Sequence, residues 1–391
     1  MKRLEDIEFS GKTVFLRVDF NVPLDDKGGI RDDTRIRAAL PTINYLLSQS
    51  AKLVIASHLG RPKGQFNPKF SLKPVAERLS QLIGREVKLA PGVIGSEVER
   101  LKKDLKAGQA LLLENVRFHA EETANDASFA EKLARGIDVY VNDAFGACHR
   151  AHASVVAIAQ CVREKAAGYL LEKEIDYLSR AIRTPEKPYV AILGGAKVSD
   201  KIPVIESLLN KADHILIGGA MAYTFFKAQG LDVGKSLVEE ELRDKALEIL
   251  KRATQKKVDF VLPLDHLLAS ALDKEAATEV ASSFPFPADK MAVDIGPQTI
   301  KKYTGIIAVA KTIFWNGPLG VFEIGKFSQG TVKIAKAVAQ AKAMSIVGGG
   351  DSIAAVKKAG VSSKISHIST GGGASLEYLA MGTLPGIEAL G

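Results

Sequence analysis

The chain has 391 residues, 46% apolar and 25% charged, close to the average of globular proteins, which excludes a disordered polypeptide. At roughly 100–200 residues per domain, the length points to two domains, each able to bury its own core. Lys and Arg number 53 against 45 Asp and Glu, a net charge of +8 that admits a nucleic acid, a membrane surface or a small anionic substrate as partner. No apolar run approaches the ~20 residues of a bilayer span, and Met1 to Ser10 lacks the apolar stretch of a secretory signal. Cys148 and Cys161 are too few for a disulfide framework or a cysteine-built zinc site, so a reducing, cytoplasmic compartment is expected.

In chain order the sequence alternates short buried-strand patterns with helical ones. The first half carries TVFLRVDF (13–20), KLVIASH (52–58), ALLLENV (110–116) and VYVNDAF (139–145). A helical pattern, AAGYLLEKEIDYLSRAI (166–182), then meets Pro185 and Pro188, which stop it. The second half carries YVAILGG (189–195), HILIGG (214–219), DFVLPLD (259–265), TIFWNG (312–317), MSIVGGG (344–350) and HISTGG (367–372). Strands rich in Val, Ile and Leu that alternate with helices predict parallel sheets covered on both faces. The fold class expected is α/β, with two doubly wound parallel-sheet domains.

Ligands of open α/β sheets bind beyond the carboxyl ends of the strands, and there the two halves differ. The first half places Asp19, Asn21, His58, Arg61, Arg117, His149 and Arg150 at or after its strand ends. With Arg17 and Arg35 this gives five guanidinium groups, each able to bind phosphate or carboxylate in bidentate fashion. A single arginine is more often a solvated charge; recurrence at strand ends points to a small, multiply charged anion. Asp19 and Asn21 share a face if the strand continues past them, or else start a turn before Pro23.

The second half places glycines after its strands: Gly194-Gly195, Gly218-Gly219, Gly317, Gly348 to Gly350 and Gly371 to Gly373. Glycine lets a phosphate chain reach backbone N–H groups, and a helix N-terminus behind it adds a favourable field. Lys197 and Lys201 follow the first of these loops and share a helical face if a helix has begun there. Asp351 and Ser352 follow another; they read either as an ordinary helix start or as a nucleotide site with Asp351 at Mg²⁺. A P-loop is absent from the sequence.

Seven segments, RVDFNVP (17–23), SHLGRP (57–62), VNDAFGACHRAHAS (141–154), GGAKVSDKI (194–202), WNGPLGVFE (315–323), GGGDS (348–352) and STGGGASLE (369–377), together resemble the phosphoglycerate kinases, in family order along the chain. The resemblance implies two Rossmann-like lobes joined by a hinge helix. Residues 1–166 would bind the glycerate substrate, 167–182 would form the interdomain helix, 183–376 would bind nucleotide, and the segment from about 377 to 391 would pack back on the first lobe. It implies reversible transfer of the acyl phosphate of 1,3-bisphosphoglycerate to ADP, giving 3-phosphoglycerate and ATP, by a monomer using Mg²⁺ with the nucleotide. Carried over by motif, Asp19, Asn21, Arg35, His58, Arg61, Arg117, His149 and Arg150 bind the glycerate. Gly195, Lys201, Gly219, Ala292, Asn316, Glu323, Gly349, Gly350, Asp351 and Ser352 bind the nucleotide, with Glu323 at the ribose and Asp351 at the metal. Arg35, Lys197 and the amides of Gly372 and Gly373 form the catalytic set. The family reads Thr-Ala where this chain has Ala147-Cys148, which puts a thiol close to the expected glycerate site.

Two other classes compete. An NAD-dependent two-domain oxidoreductase would share the lobes and glycine loops, yet no clean GxGxxG opens a helix with an acidic residue ~20 positions on. A nucleic-acid binder would explain the charge, yet aromatics are only 6% and no Lys/Arg block is present. Neither a nucleic acid nor a membrane is therefore expected as partner.

Overall fold

A computed structural model describes residues 1–391, which divide into two compact units, Met1–Asp176 with Thr383–Gly391, and Tyr177–Gly382. In the first unit six strands form one parallel sheet: β1 (Thr13–Val18), β2 (Lys52–Ala56), β3 (Val87–Leu89), β4 (Ala110–Leu112), β5 (Val139–Asp143) and β6 (Glu164–Ala167). Their order is β3-β4-β2-β1-β5-β6. The chain leaves β1 toward β2 on one side and returns to β5 on the other, so the topological switch lies between β1 and β5, where the carboxyl ends open a ligand crevice. Val14, Leu16 and Val18 of β1 and Leu53 and Ile55 of β2 are buried in one core cluster, and Phe15 and Val54, which alternate with them, are buried on the other face, as expected of strands covered on both faces.

The second unit repeats the plan. Its strands are β7 (Tyr189–Leu193), β8 (His214–Ile217), β9 (Asp259–Val261), β10 (His266–Ala269), β11 (Thr278–Ala281), β12 (Met291–Ile295), β13 (Thr312–Asn316), β14 (Met344–Gly348) and β15 (His367–Ile368). Six of them form a parallel sheet ordered β15-β14-β13-β7-β8-β9, with its switch between β7 and β13. Trp315 of β13 is fully buried, and its indole N–H donates to the Gly317 carbonyl at 2.8 Å. Truncating such a side chain costs about 3–5 kcal/mol.

Three features depart from the sequence expectation. β10, β11 and β12 form a separate antiparallel sheet that no parallel-strand pattern announced. β3 and β6 are short edge strands, β6 beginning with charge. Ala166 and Ala167, expected at the head of the helix, belong to β6, because pairing with Val141 and Asn142 holds them extended. The helix runs instead from Tyr169 to Arg183. Its first turn is anchored by Asp143 at the end of β5, whose Oδ1 accepts from the Leu170 and Leu171 amides at 2.9 and 3.1 Å. Leu171, Glu174, Leu178 and Ala181 lie buried along it at helical spacing.

The last nine residues belong to the first unit. The Gly386 N–H donates to the Cys148 carbonyl at 2.9 Å, and a Cβ at Gly386 would stand 2.9 Å from the Cys148 sulfur. Cys148 is thus walled in: burial first, and nearby carboxylates with it, push its thiol up to about 12. Although it lies within a candidate site motif, this thiol is inert at neutral pH. No helix is long and apolar enough to cross a membrane.

Candidate active site

In the first unit β1 ends at Val18, and the chain turns at once, with the Asn21 N–H donating to Asp19 Oδ1 at 3.1 Å. The turn expected before Pro23 is therefore present, and both side chains are also tied to other elements. Arg35, in the first turn of the helix Thr34–Ser48, donates from Nη1 to Asp19 Oδ2 at 2.8 Å. Asn21 Oδ1 accepts from the Gly60 N–H at 2.8 Å, and Arg117 Nη1 donates to the Gly60 carbonyl at 2.9 Å. The loop after β2 is so clamped between Asn21 and Arg117, with exposed Arg61 next in line. His149 and Arg150 meet each other, Arg150 Nε donating to His149 Nε2 at 3.1 Å.

His58 lies buried beneath Asp19, its Nε2 4.0 Å from Asp19 Oδ1. Burial holds His58 well below its ordinary value against the pull of Asp19, with repulsion from Arg17, Arg117 and Arg35 adding to it, so the ring is neutral at pH 7. Burial works to raise Asp19, but His58, Arg35, the Asn21 amide and Arg17 outweigh it and hold the carboxyl below its usual value. Arg117 is lowered to about 10 by burial and by Arg17, and stays charged; its Nε is buried with no partner in the chain. Arg17, named in the arginine set but not among the expected ligand contacts, is fully buried and reaches His58 Nδ1 at 3.3 Å. A charge inside the apolar run TVFLRV is the signal that could have found it, since a buried guanidinium must be answered by acceptors.

In the second unit the glycines fall into two kinds. A Cβ on Gly194 would run into the Pro318 carbonyl, one on Gly317 into the Gly194 carbonyl, and one on Gly219 would come within 2.6 Å of the Gly195 backbone. These residues let β7, β8 and β13 converge and serve packing. Gly195, Gly350, Gly372 and Gly373 have nothing within 4 Å of a Cβ position, so their backbone faces open space. Gly350 and Gly373 open the helices Gly350–Lys358 and Gly373–Met381, with Gly349 and Gly372 at positive φ as their caps. Two nine-residue helices thus present uncapped N-terminal amides.

The helix on which Lys197 and Lys201 could have shared a face begins only at Ile202. The preceding residues form turns held by Glu239, whose Oε2 accepts from the Ser199 N–H at 3.1 Å and whose Oε1 accepts from the Ser199 hydroxyl at 2.6 Å. Lys197 is therefore exposed on a loop, whereas Lys201 is buried and donates to Asn316 Oδ1. Burial lowers Lys201 to about 8, against the pull of Asp200 and Asp351. The other end of Asn316, Nδ2, is buried without a partner, 2.9 Å from where a Cβ on Gly349 would stand. Ser352 is spent within the protein, its Oγ accepting from the Gly317 N–H at 2.5 Å, while Asp351 beside it is exposed.

A pocket of about 240 Å³ adjoins these groups, and Gly195, Gly219, Ala292, Glu323 and Asp351 line it. Tyr223, absent from the sequence expectation, forms another wall, its hydroxyl 3.0 Å from His266 Nδ1. Asp294, also on the wall, is raised to about 7 by burial; it accepts from the Ile295 and Gly330 amides and so ties β12 to the first turn of the helix Gln329–Gln340 behind the pocket. A wider groove of about 890 Å³, between residues 27–34 and the helix Lys73–Ile83, holds none of the expected residues. Across it Arg78 pairs with Asp33 at 2.7 Å.

The family model described as Phosphoglycerate kinase matches residues 4–381. The chain belongs to the phosphoglycerate kinase family. Phosphoglycerate kinases of Acidobacterium capsulatum and Koribacter versatilis are each 56% identical to it, over 99% of this chain and 98% of their own lengths. The solved phosphoglycerate kinase structure from Coxiella burnetii covers 100% of this chain and 98% of its own, at 43% identity and a TM-score of 0.90. That from Pyrococcus horikoshii OT3 gives 38% identity and a TM-score of 0.84, with the same coverage. The activity is accordingly that of a phosphotransferase of this family, moving a phosphoryl group reversibly between 1,3-bisphosphoglycerate and ADP, and the oxidoreductase alternative is set aside.

Proposed function

We propose that the first unit holds the glycerate substrate and the second the nucleotide, with the phosphoryl group passing directly between them. The contrast between packed and open glycines carries this reading: Gly350, Gly372 and Gly373 have open space where a ligand can stand against their backbone. Amides at two helix N-termini, the unpartnered Asn316 Nδ2, and Lys201 suit a phosphate chain. The guanidinium groups of Arg35, Arg61, Arg117 and Arg150, with Asn21, His58 and His149, suit a small molecule carrying a phosphate and a carboxylate. His58, neutral and engaged at Nδ1 by Arg17, is a donor there through Nε2, and Asp19 holds Arg35 in place.

Neither direction needs a general base, because a nucleotide phosphate and a carboxylate are both ionised near pH 7. The residues supply positioning and charge: Arg35, Lys197 and the Gly372 and Gly373 amides would stabilise the transferring group. Asp351, exposed in the first turn of its helix and beside the pocket that Glu323 lines, matches the one-carboxylate-plus-phosphate donor set of Mg²⁺. The metal, arriving with the nucleotide, would offset the charge of its phosphates. Pocket walls at Ala292, Gly195 and Gly219 would take the base, and Glu323 the ribose.

Two anions must approach to ~3–3.5 Å for direct transfer. We assign that approach to closure about the helix Tyr169–Arg183, driven by the differential affinity of both substrates for the closed form. Small-angle scattering tests this: the radius of gyration should fall only with both ligands bound, and equal dimensions in the apo and doubly liganded protein would overturn it. The same reading has the enzyme act as a monomer in the cytoplasm.

A further inference from the structure

We infer that Glu122, acting through Ser154 and Arg17, is a positioning residue that fixes the tautomer and orientation of His58. Glu122 is a fully buried carboxylate outside every motif discussed above. Its two oxygens are both spent on one residue: Oε2 accepts from the Ser154 N–H at 2.9 Å and Oε1 from the Ser154 hydroxyl at 2.6 Å. The Ser154 oxygen in turn accepts from Arg17 Nε at 2.7 Å. Arg17, equally buried, has its Nη2 4.0 Å from Glu122 Oε1 and 3.3 Å from His58 Nδ1.

The chemistry sets the direction of every link. Guanidinium has donors only, so Arg17 must donate to His58, Nδ1 must accept, and the imidazole proton sits on Nε2. That nitrogen is the one directed at Asp19, 4.0 Å from Oδ1 and too far for a hydrogen bond, which leaves the N–H for a ligand oxygen. The Ser154 hydroxyl has one proton, and giving it to Glu122 leaves its lone pairs for Arg17. A neutral group in place of Glu122 could not play this part, because the buried guanidinium would lose its counter-charge as well as the orientation of its acceptor.

The backbone supports the same conclusion. Residues Ala153–Ala157 form a π-helical turn, a rare conformation often found at functional sites, and Glu122 holds it by the Ser154 amide. Asn125, three residues after Glu122, accepts from the Ala157 N–H at the far end of the same turn. The turn, the serine and the arginine are therefore organised from the short helix Ala120–Thr123.

The proposal rests on the assignment of the first unit to the glycerate, and the experiment separates the two. Ser154→Ala, Ser154→Thr and Glu122→Gln are compared with the wild-type full-length enzyme. ¹⁵N NMR of the histidine side chains reads the tautomer, and kinetics read KM for 3-phosphoglycerate and for MgATP separately. The wild type should show His58 with a pyrrole-type Nε2 and a pyridine-type Nδ1. Ser154→Ala and Glu122→Gln should mix the tautomers and raise the 3-phosphoglycerate KM about tenfold or more, the scale of a lost charge-assisted hydrogen bond, leaving the MgATP KM within twofold. Ser154→Thr, which keeps the hydroxyl, should restore both. Should Glu122→Gln not fold, the serine pair decides. Unchanged His58 nitrogens in Ser154→Ala, or a lowered Tm as its only effect, would overturn the proposal. Altered nitrogens with an unmoved 3-phosphoglycerate KM would uphold the relay and count against the glycerate assignment.

Discussion

Lys201 offers a quantitative test, because its charge is held at a cost. Burial lowers its ammonium from 10.5 to about 8, a penalty of roughly 3 kcal/mol for keeping the charge inside the fold. With a folded-state value below the unfolded one, the folded chain gives up this proton first as pH rises. Between pH 8 and 10.5 the unfolded chain binds more protons, so this group adds stability with rising pH there and adds none below 8. Binding runs the other way. If the ammonium meets the nucleotide phosphates, the Kd for MgADP should rise about tenfold from pH 7 to 9 as the free enzyme loses the charge, while the Kd for 3-phosphoglycerate stays flat. Lys201→Met removes the charge outright. It sheds the roughly 3 kcal/mol penalty, but strands Asn316 Oδ1 at about 1–3 kcal/mol, so at pH 7 the variant should be as stable as the wild type or slightly more so. Its MgADP affinity should be about 10–100-fold weaker, with no inflection near pH 8. Isothermal titration calorimetry and thermal unfolding at pH 7, 8 and 9 measure both effects. A flat wild-type binding profile, or a Lys201→Met profile that parallels it, would refute the reasoning.

Other outcomes follow from the same geometry. Lys197→Ala, at an exposed loop position, should lower kcat by about 10²-fold or more with each KM within a few-fold, measured in a coupled steady-state assay. Gly317→Ala should cost more than about 3 kcal/mol or abolish folding, because its Cβ meets the Gly194 carbonyl; Gly350→Ala should keep the stability or raise it by up to about 1 kcal/mol, with an unchanged or slightly higher Tm, yet weaken nucleotide binding. Ellman's reagent should modify a single thiol of the folded protein, mapped by mass spectrometry to the exposed Cys161, with Cys148 reacting only after unfolding.

The parallel sheets were legible because their strands are unbroken apolar runs, such as VFL in β1 and IFW in β13, that end in small or polar residues. β10 to β12 were not, since β11 is exposed along most of its length and reads as a polar loop. Whether a helix begins at Lys197 stayed open in the sequence, because nothing local in AKVSD shows that Glu239, some 40 residues on, would hold those amides in a turn. Glycine loops do stand at the strand ends of the second sheet, as their spacing suggested. Sequence could not divide them, though, because whether a glycine serves packing or ligand access depends on what another strand brings opposite it. Gly194 and Gly317 face each other's backbones, while Gly373 faces none. Asp19, Asn21 and Arg117 converge as strand-end placement suggested, joined by Arg35 from the helix Thr34–Ser48, yet Glu122 and Ser154 lay hidden. A buried hydrogen-bonded network leaves no periodicity, and its members come from distant segments, 137 residues apart in the case of Arg17 and Ser154.

The division of labour between the two units is tested most directly by calorimetric titration of Arg61→Ala with each substrate separately. Loss of one exposed guanidinium in the first unit should raise the Kd for 3-phosphoglycerate about tenfold or more and leave that for MgADP unchanged. An unaltered 3-phosphoglycerate Kd, or equal weakening of both ligands, would contradict it.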